Sequence, residues 1–545
     1  MRLDDRATVF DAARKDNVEV LRDAQATCDE NAGESEHEIN PIEDCRFHCT
    51  IITLLPVRTC PAPSGPGDGC VGWVSFPNRM NGSPPEISLA KIAESEPPKV
   101  VPGTYFIQTW GCQMNEEDSE QIGLYLENAG FMPAPTLASA QIVLLNTCSV
   151  RKKPEDKAFS LLGELAMLPR GDRVIGVCGC MAQIRSQEIR RRSPHVDFVV
   201  GTAHISEIPL LVHEALERRQ FEARLELPER RGTVVTDLPR RHVGRAPKLK
   251  AFVPIQYGCD RFCTFCIVPS TRGRERSRPT AEIIQEVRLL AESGAREVTL
   301  LGQTVNSYGK NMAEGRVAFS KLLWMLAEVP GLERIRFTSP YPSDFRKDLI
   351  ETIRDCPKVM EHVHLPLQSG DNTVLKAMKR QYTIERFEEI VAQLREACPR
   401  VAITTDVIVG FPGETDEQFE NTLAAMRRIR FDGAFMFAYS ERPGTQATNM
   451  EQVPLQTRRQ RLNELIALQN SIACEVNAAL VGQEFEVLVE GPSPKRKTLM
   501  KGYSREFKMM HFPGNGRLIG KTVAVRATAA HLWGLSGEVI SDPAD

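Results

Sequence analysis

Between residues 104 and 219, short apolar runs alternate with longer polar stretches. The runs at 105–110, 142–145, 174–177 and 196–200 predict strands, and the stretches at 116–128, 154–168, 183–192 and 206–218 predict helices. Continuous apolar strands between helices imply a parallel sheet covered on both faces, so a doubly wound α/β domain. The alternation resumes across 251–480, with strands at 252–256, 297–301, 334–338, 362–367, 402–409 and 434–439. The helices between them are amphipathic, as Ile283, Val287 and Leu290 illustrate. Crossovers of one hand curl a parallel sheet, and six strands fall short of a closed eight-stranded barrel. The expectation is a partial (β/α)6 barrel with active groups at the carboxyl ends of its strands, ending in a polar helical connector at 455–480. From 482 to 541 the period changes to two, with turn signals every ten or so residues. That pattern predicts a small C-terminal β-barrel of about five strands.

Composition changes the picture in two places. Residues 1–100 hold 17 acidic against 10 basic residues and several Pro/Gly-rich pieces, so they read as a largely disordered extension. The whole chain carries a net charge of −3, which leaves the remainder mildly basic and permits a local basic surface. No apolar run is long enough to cross a bilayer, and the first residues lack a signal-peptide core, so a cytoplasmic protein without membrane attachment is expected. In that reducing compartment fifteen cysteines point to metal binding or catalysis rather than disulfides.

Cys259, Cys263 and Cys266 form a C-x3-C-x2-C triplet just after the first strand of the central domain. Three thiolates this close suit a soft metal centre. A four-iron cluster takes four cysteine ligands, so a compact triplet leaves one iron open to a small molecule. Phe262 and Phe265 interleave the ligands and are expected to shield them. Structural zinc is the alternative, but its sites show paired knuckles and four ligands. Cys112, Cys148 and Cys180 follow three successive strands of the first domain. Ligands in open α/β sheets gather at the carboxyl ends of strands, so this trio predicts a second cluster. Cys178 is one position off the pattern and reads as a core residue.

Other groups at the strand ends are polar or glycine-rich, and a ring of amides, carboxylates and a guanidinium (Arg442) suits a zwitterionic cofactor. Of His362 and His364, one is expected to line the barrel and the other to pack or face solvent. Arg272, Arg274, Arg276 and Arg278 alternate and, if extended, project to one side towards a polyanionic substrate. Residues 220–250 form a basic linker, equally a solvated connection or a phosphate-facing strap. In the last domain Lys495, Arg496, Lys497, Lys501, Arg505 and Lys508 interleave with Tyr503, Phe507 and Phe512, a composition that fits a nucleic-acid surface.

Over 104–541 the chain resembles the radical S-adenosylmethionine (SAM) methylthiotransferases. The triplet marks the radical SAM superfamily, and Gln108-Thr-Trp-Gly-Cys-Gln-Met-Asn115 with Asn146-Thr-Cys148 resembles the N-terminal methylthiotransferase domain. Thr109–Asn115 and Cys263-Thr-Phe-Cys-Ile-Val-Pro-Ser-Thr-Arg-Gly273 are similar to the MiaB-type branch, the tRNA-2-methylthio-N6-dimethylallyladenosine synthases, and the tail resembles their RNA-binding TRAM domain. The resemblance implies two 4Fe-4S clusters, one on Cys259, Cys263 and Cys266 that binds and cleaves SAM, and one on Cys112, Cys148 and Cys180 that supplies or carries sulfur. It implies a SAM pocket that includes Gln303, Asn306 and Glu414. It also implies a tRNA substrate modified in its anticodon loop, an electron donor such as a flavodoxin or ferredoxin, and a monomeric enzyme. Substrate alternatives are threonylcarbamoyl adenosine or a ribosomal-protein aspartate; a different class is a zinc-stabilised RNA-binding protein without catalysis.

Overall fold

The computed structural model describes residues 101–150, 152–228, 248–310, 312 and 315–541. The extension at 1–100 and most of the basic linker, with Arg230, Arg231, Arg240, Arg241 and Arg245, lie outside the described residues.

The first domain is a six-stranded parallel sheet in the order Met132–Pro133, Val101–Trp110, Ala140–Thr147, Val174–Cys178, Phe198–Val200, Glu222–Arg224. Ala140–Thr147 and Val174–Cys178 are buried throughout, as strands covered on both faces require. Their alternate side chains feed two cores. Ile142 and Leu144 meet Phe198 and Leu211 on one face, while Val143 and Leu145 meet Leu162 and Ile189 on the other. Strand order reverses between Val101–Trp110 and Ala140–Thr147, the switch point where such sheets open a crevice. The two edge strands were not expected; at two and three residues they are too short to leave a period in the sequence.

The central domain has the six expected parallel strands, at Lys250–Pro254, Glu297–Leu301, Arg334–Phe337, His362–His364, Ala402–Val409 and Gly433–Ala438. They form two sheets of three, joined through a parallel bridge between Ile335 and Val359. One face of this wall is apolar: Val298, Leu300, Ile335, Val363, Ile403 and Val407 pack in one core with Ile283, Leu322, Leu394 and Leu423 of the outer helices. The other face is the polar inner surface of an incomplete barrel. Residues two apart on a strand share a face, so His362 and His364 both point to that surface, each with a ring nitrogen 3.0 Å from the Thr404 hydroxyl. The expected division of roles between them is thereby corrected.

Helix Leu455–Ala478 leads to a closed five-stranded barrel in the order Glu484–Pro492, Leu499–Ser504, Met509–Pro513, Gly534–Ser541, Thr522–His531. Its core is Val487, Met510, Phe512, Val525 and Leu535. The turn after Ser504 fills the amino-terminal mouth of the central barrel. Arg334 donates to the Tyr503 carbonyl (2.8 Å) and Arg336 to those of Ser504 (2.7 Å) and Arg505 (2.9 Å). Phe507, at φ +63°, stacks between His362 and Tyr503 with ring centroids 4.7 and 4.8 Å away. Lys508 pairs with Asp432 at 2.8 Å, and Arg505 with Glu361 at 2.8 Å. Tyr503, Phe507, Arg505 and Lys508 therefore dock one domain on another, and Phe512 is core. The expected aromatic part of the nucleic-acid face is corrected, because these rings are engaged within the protein; of the expected basic residues, Lys495, Arg496 and Lys497 remain exposed. Among the described residues no helix is long and apolar enough to cross a membrane.

Candidate functional site: two cysteine trios

The triplet loop leaves the first barrel strand through Gly258, at φ +74°, where a Cβ would lie 2.2 Å from the Arg274 carbonyl. Only glycine fits that approach. Cys259 N–H then donates to the Gly273 carbonyl (3.2 Å), and Cys266 N–H to the Cys263 carbonyl (3.0 Å). The loop is pinned from two sides: Thr264 N–H donates to the Met378 carbonyl (3.2 Å), and Ala447 N–H donates to the Thr264 carbonyl (2.9 Å). Burial, with Cys263 close by, pushes the Cys259 thiol up to about 11 and that of Cys266 up to about 12. Arg380, stacked over Tyr341 and Tyr382, donates to Cys263 Sγ at 3.4 Å. Phe265 packs, half-buried, beside Phe411 and Tyr439, but Phe262 is 44% exposed, so of the two expected shields only Phe265 packs against the protein.

The second trio meets at the switch point. Cys112 caps helix Gln113–Asn128, Cys148 follows Ala140–Thr147, and Cys180 starts helix Cys180–Arg192. Two buried asparagines tie the loops: Asn115 Nδ2 donates to Asn146 Oδ1 (3.0 Å), and Asn146 Nδ2 to the Asn115 carbonyl (2.9 Å). Gly179, at φ +89°, passes over this pair; a Cβ there would lie 2.3 Å from Asn146 Oδ1. A hydrogen bond with Cys148 and the charge of Arg272 lower the Cys112 thiol to about 6, and Cys148 is raised by that same bond and by burial. Burial raises Cys180 too, partly offset by Arg272. Cys178 instead points into the core and its thiol donates to the Leu145 carbonyl at 3.6 Å.

Both donor sets suit iron–sulfur clusters. Each is three free thiols that feel one another's charge, on a polar ledge at the carboxyl ends of parallel strands. Among the described residues no three His, Cys, Asp or Glu side chains close on a point as they would around a single ion.

The expected cofactor residues differ in what they hold. Gln303 has a buried side-chain oxygen without a hydrogen-bond partner. The Asn306 amide is engaged at both ends by Tyr341, donating to its carbonyl (2.9 Å) and accepting from its N–H (2.7 Å), so it joins two strand-end loops. Glu414 accepts from Gly410 N–H at 2.6 Å and from Arg461 at 2.7 Å, closing its own glycine loop. The alternating arginines do not project together. The chain forms helix Val268–Arg272, turns at Gly273 (φ +74°) and re-extends, so Arg272 pairs with Asp118 (2.6 Å), Arg274 with Asp260 (2.6 Å) and Arg278 with Glu286 (2.7 Å). Asp118, Glu155 and Arg380 escaped the sequence reading, which gave Asn115 and Asn146 no role beyond their motifs. The signal available was a short polar side chain beside a cluster cysteine, which alone does not separate a structural role from a surface one.

Residues 253–426 match the Radical SAM superfamily, residues 104–201 the Uncharacterized protein family UPF0004, and residues 478–540 the TRAM domain. The chain is 47% identical over 442 residues to the tRNA-2-methylthio-N(6)-dimethylallyladenosine synthase of Moorella thermoacetica, covering 80% of this chain and 98% of that one. It is 45% identical to the enzyme of the same name from Carboxydothermus hydrogenoformans, covering 80% and 99%. Among solved structures, the radical S-adenosylmethionine methyltransferase TsrM of Kitasatospora setae aligns with a TM-score of 0.48 at 15% identity, over 63% of this chain and 75% of that one.

Proposed function

This chain belongs to the tRNA-2-methylthio-N6-dimethylallyladenosine synthases, and from that premise we infer which of its residues carry the reaction. The protein is a radical SAM sulfur transferase that modifies tRNA and uses SAM and 4Fe-4S clusters. In our reading Cys259, Cys263 and Cys266 hold the SAM-binding cluster, and Cys112, Cys148 and Cys180 hold the second. Bound there, the first cluster with SAM would supply one-electron radical chemistry, and the second would supply the sulfur for C2 of the isopentenylated adenine.

The chain's own part is to hold, orient and exclude water. Gln303, with its unpaired buried oxygen, would contact SAM, while Asn306 and Glu414 fix the loops around that place. Arg380 steadies Cys263 against the charge of neighbouring thiolates. Phe265, with Phe411 and Tyr439, keeps water from one side of the loop. The substrate adenosine belongs to the anticodon loop, and a small one-electron carrier such as a flavodoxin or ferredoxin reduces a monomeric enzyme.

The observation that carries this reading is the pair of three-thiol sites in one chain, linked by the five residues of helix Val268–Arg272. Nucleoside mass spectrometry of tRNA from a strain lacking the gene, with and without the gene restored, tests it. Restoration should return 2-methylthio-N6-isopentenyladenosine. Unchanged levels in the deletion strain would refute the substrate assignment.

A further inference from the structure

The second trio sits in the first domain, where Arg185 pairs with Glu155 at 3.3 Å, yet the two most deeply buried guanidiniums beside it come from the barrel. Arg272, six residues beyond Cys266, is buried against Asp118, with guanidinium and carboxylate 4% and 5% exposed and 2.6 Å apart. Arg442, just past the sixth barrel strand, is buried against Glu155 at 3.6 Å, with exposures of 8% and 4%. Glu155 also accepts from Ser149 at 2.5 Å, next to Cys148. Each guanidinium is thus supplied across the domain boundary and held by an acid of the first domain: Asp118 lies on the helix that Cys112 caps, and Glu155 is hydrogen-bonded to the neighbour of Cys148. Buried charges survive only when paired and fixed, and groups around a cluster set its potential.

We propose that Arg272 and Arg442 are positioning residues of the second cluster: the barrel supplies two fixed positive charges that stabilise its reduced state and any anionic sulfur ligand on its open iron. The inference rests on the assignment of Cys112, Cys148 and Cys180 as cluster ligands. One-electron reduction adds a negative charge to a centre already bearing three thiolates. A guanidinium held by Asp118 or Glu155 cannot move away when the charge arrives, so its field is present before the electron is. Docking of the two domains and the charge of the cluster then become one event.

The test uses the full chain with C259A, C263A and C266A, so that one cluster remains. Iron, sulfide and electron paramagnetic resonance first establish that cluster; if none assembles, the ligand assignment fails and the proposal falls with it. With the cluster present, its midpoint potential is titrated with dithionite in R272Q, R442Q, R272K, D118N and E155Q backgrounds. Loss of either arginine should shift the reduced-to-oxidised ratio at fixed potential about tenfold towards oxidised, equivalent to about 59 mV for one electron. R272K, which keeps the charge, should stay near the parent. D118N and E155Q remove a negative charge and should shift it the opposite way. Shifts of one sign in all five, or none, would overturn the proposal, because loosened packing does not reverse with the sign of the deleted charge. If R272Q fails to fold, R442Q against E155Q provides the same opposition.

Discussion

Arg461 of the connector helix donates to the Glu414 carboxylate at 2.7 Å, with both side chains buried, and its other arm reaches the exposed Asp416. Burial raises Glu414, and the Gly410 N–H and the guanidinium pull it back. E414Q keeps the shape and removes the charge, leaving buried Arg461 with the backbone carbonyl of residue 414 (3.0 Å) and one exposed carboxylate, Asp416. Breaking a buried pair this way costs about 3–5 kcal/mol. Urea denaturation of the apoprotein should show a loss of that size, and E414D, with the charge kept and the reach shortened, a smaller one.

Cys112 and Cys178 should behave as opposites despite both lying at a strand end of the same sheet. C112A should keep SAM cleavage, read as 5′-deoxyadenosine, and lose the methylthiolated nucleoside. C178A, in the core and away from the trio, should keep both. Loss of cleavage in folded C112A would contradict separate roles for the two sites.

Gly179 combines φ +89° with a Cβ position 2.3 Å from Asn146 Oδ1. G179A must displace Asn146 or the start of the helix that carries Cys180, and either movement opens the trio. Iron and sulfide per chain should fall by about half, the four-iron unit of one cluster. The C-x3-C-x2-C site, built on other elements, should keep its share.

His362 supplies a pH dependence. Burial, then the charges of Arg336, His364 and Lys508, hold its ring well below the usual value of 6.5. A depressed folded value means that folding selects the neutral ring. That contribution is whole above about 6.5 and is lost as pH falls below it, by at most about 1.36 kcal/mol per pH unit for one proton. H362F keeps a ring against Phe507 and removes the proton site. Stability curves of wild type and H362F should therefore run parallel above pH 7 and diverge between pH 6.5 and 5, with wild type falling more steeply.

Strand runs such as 142–145 and 174–177 were legible because a buried parallel strand must be apolar along its length, and the cysteines were legible because strand order places their loops at one edge. The arginine run misled for a local reason. Alternation assigns sides only in an extended chain, and Pro269 with Gly273 makes Val268–Arg272 a helix and then a left-handed turn. Tyr503, Phe507 and Lys508 misled for a global one. Aromatic and basic residues suit RNA and a polar domain junction equally, and only the buried Arg334 and Arg336 on a strand 169 positions away decide between them. Pairs such as Arg272 with Asp118 span 154 positions, and no local period encodes them.

The turn from Ser504 to Lys508 bears on how these enzymes can be rearranged. Its carbonyls are received by arginines of the catalytic wall, and its phenylalanine holds a backbone angle that only a fixed setting sustains. The C-terminal barrel is thus not an interchangeable handle. A chimaera that exchanges it between relatives should be built with the third and fourth barrel strands as one cassette, because the floor of the central barrel is inherited with its C-terminal neighbour.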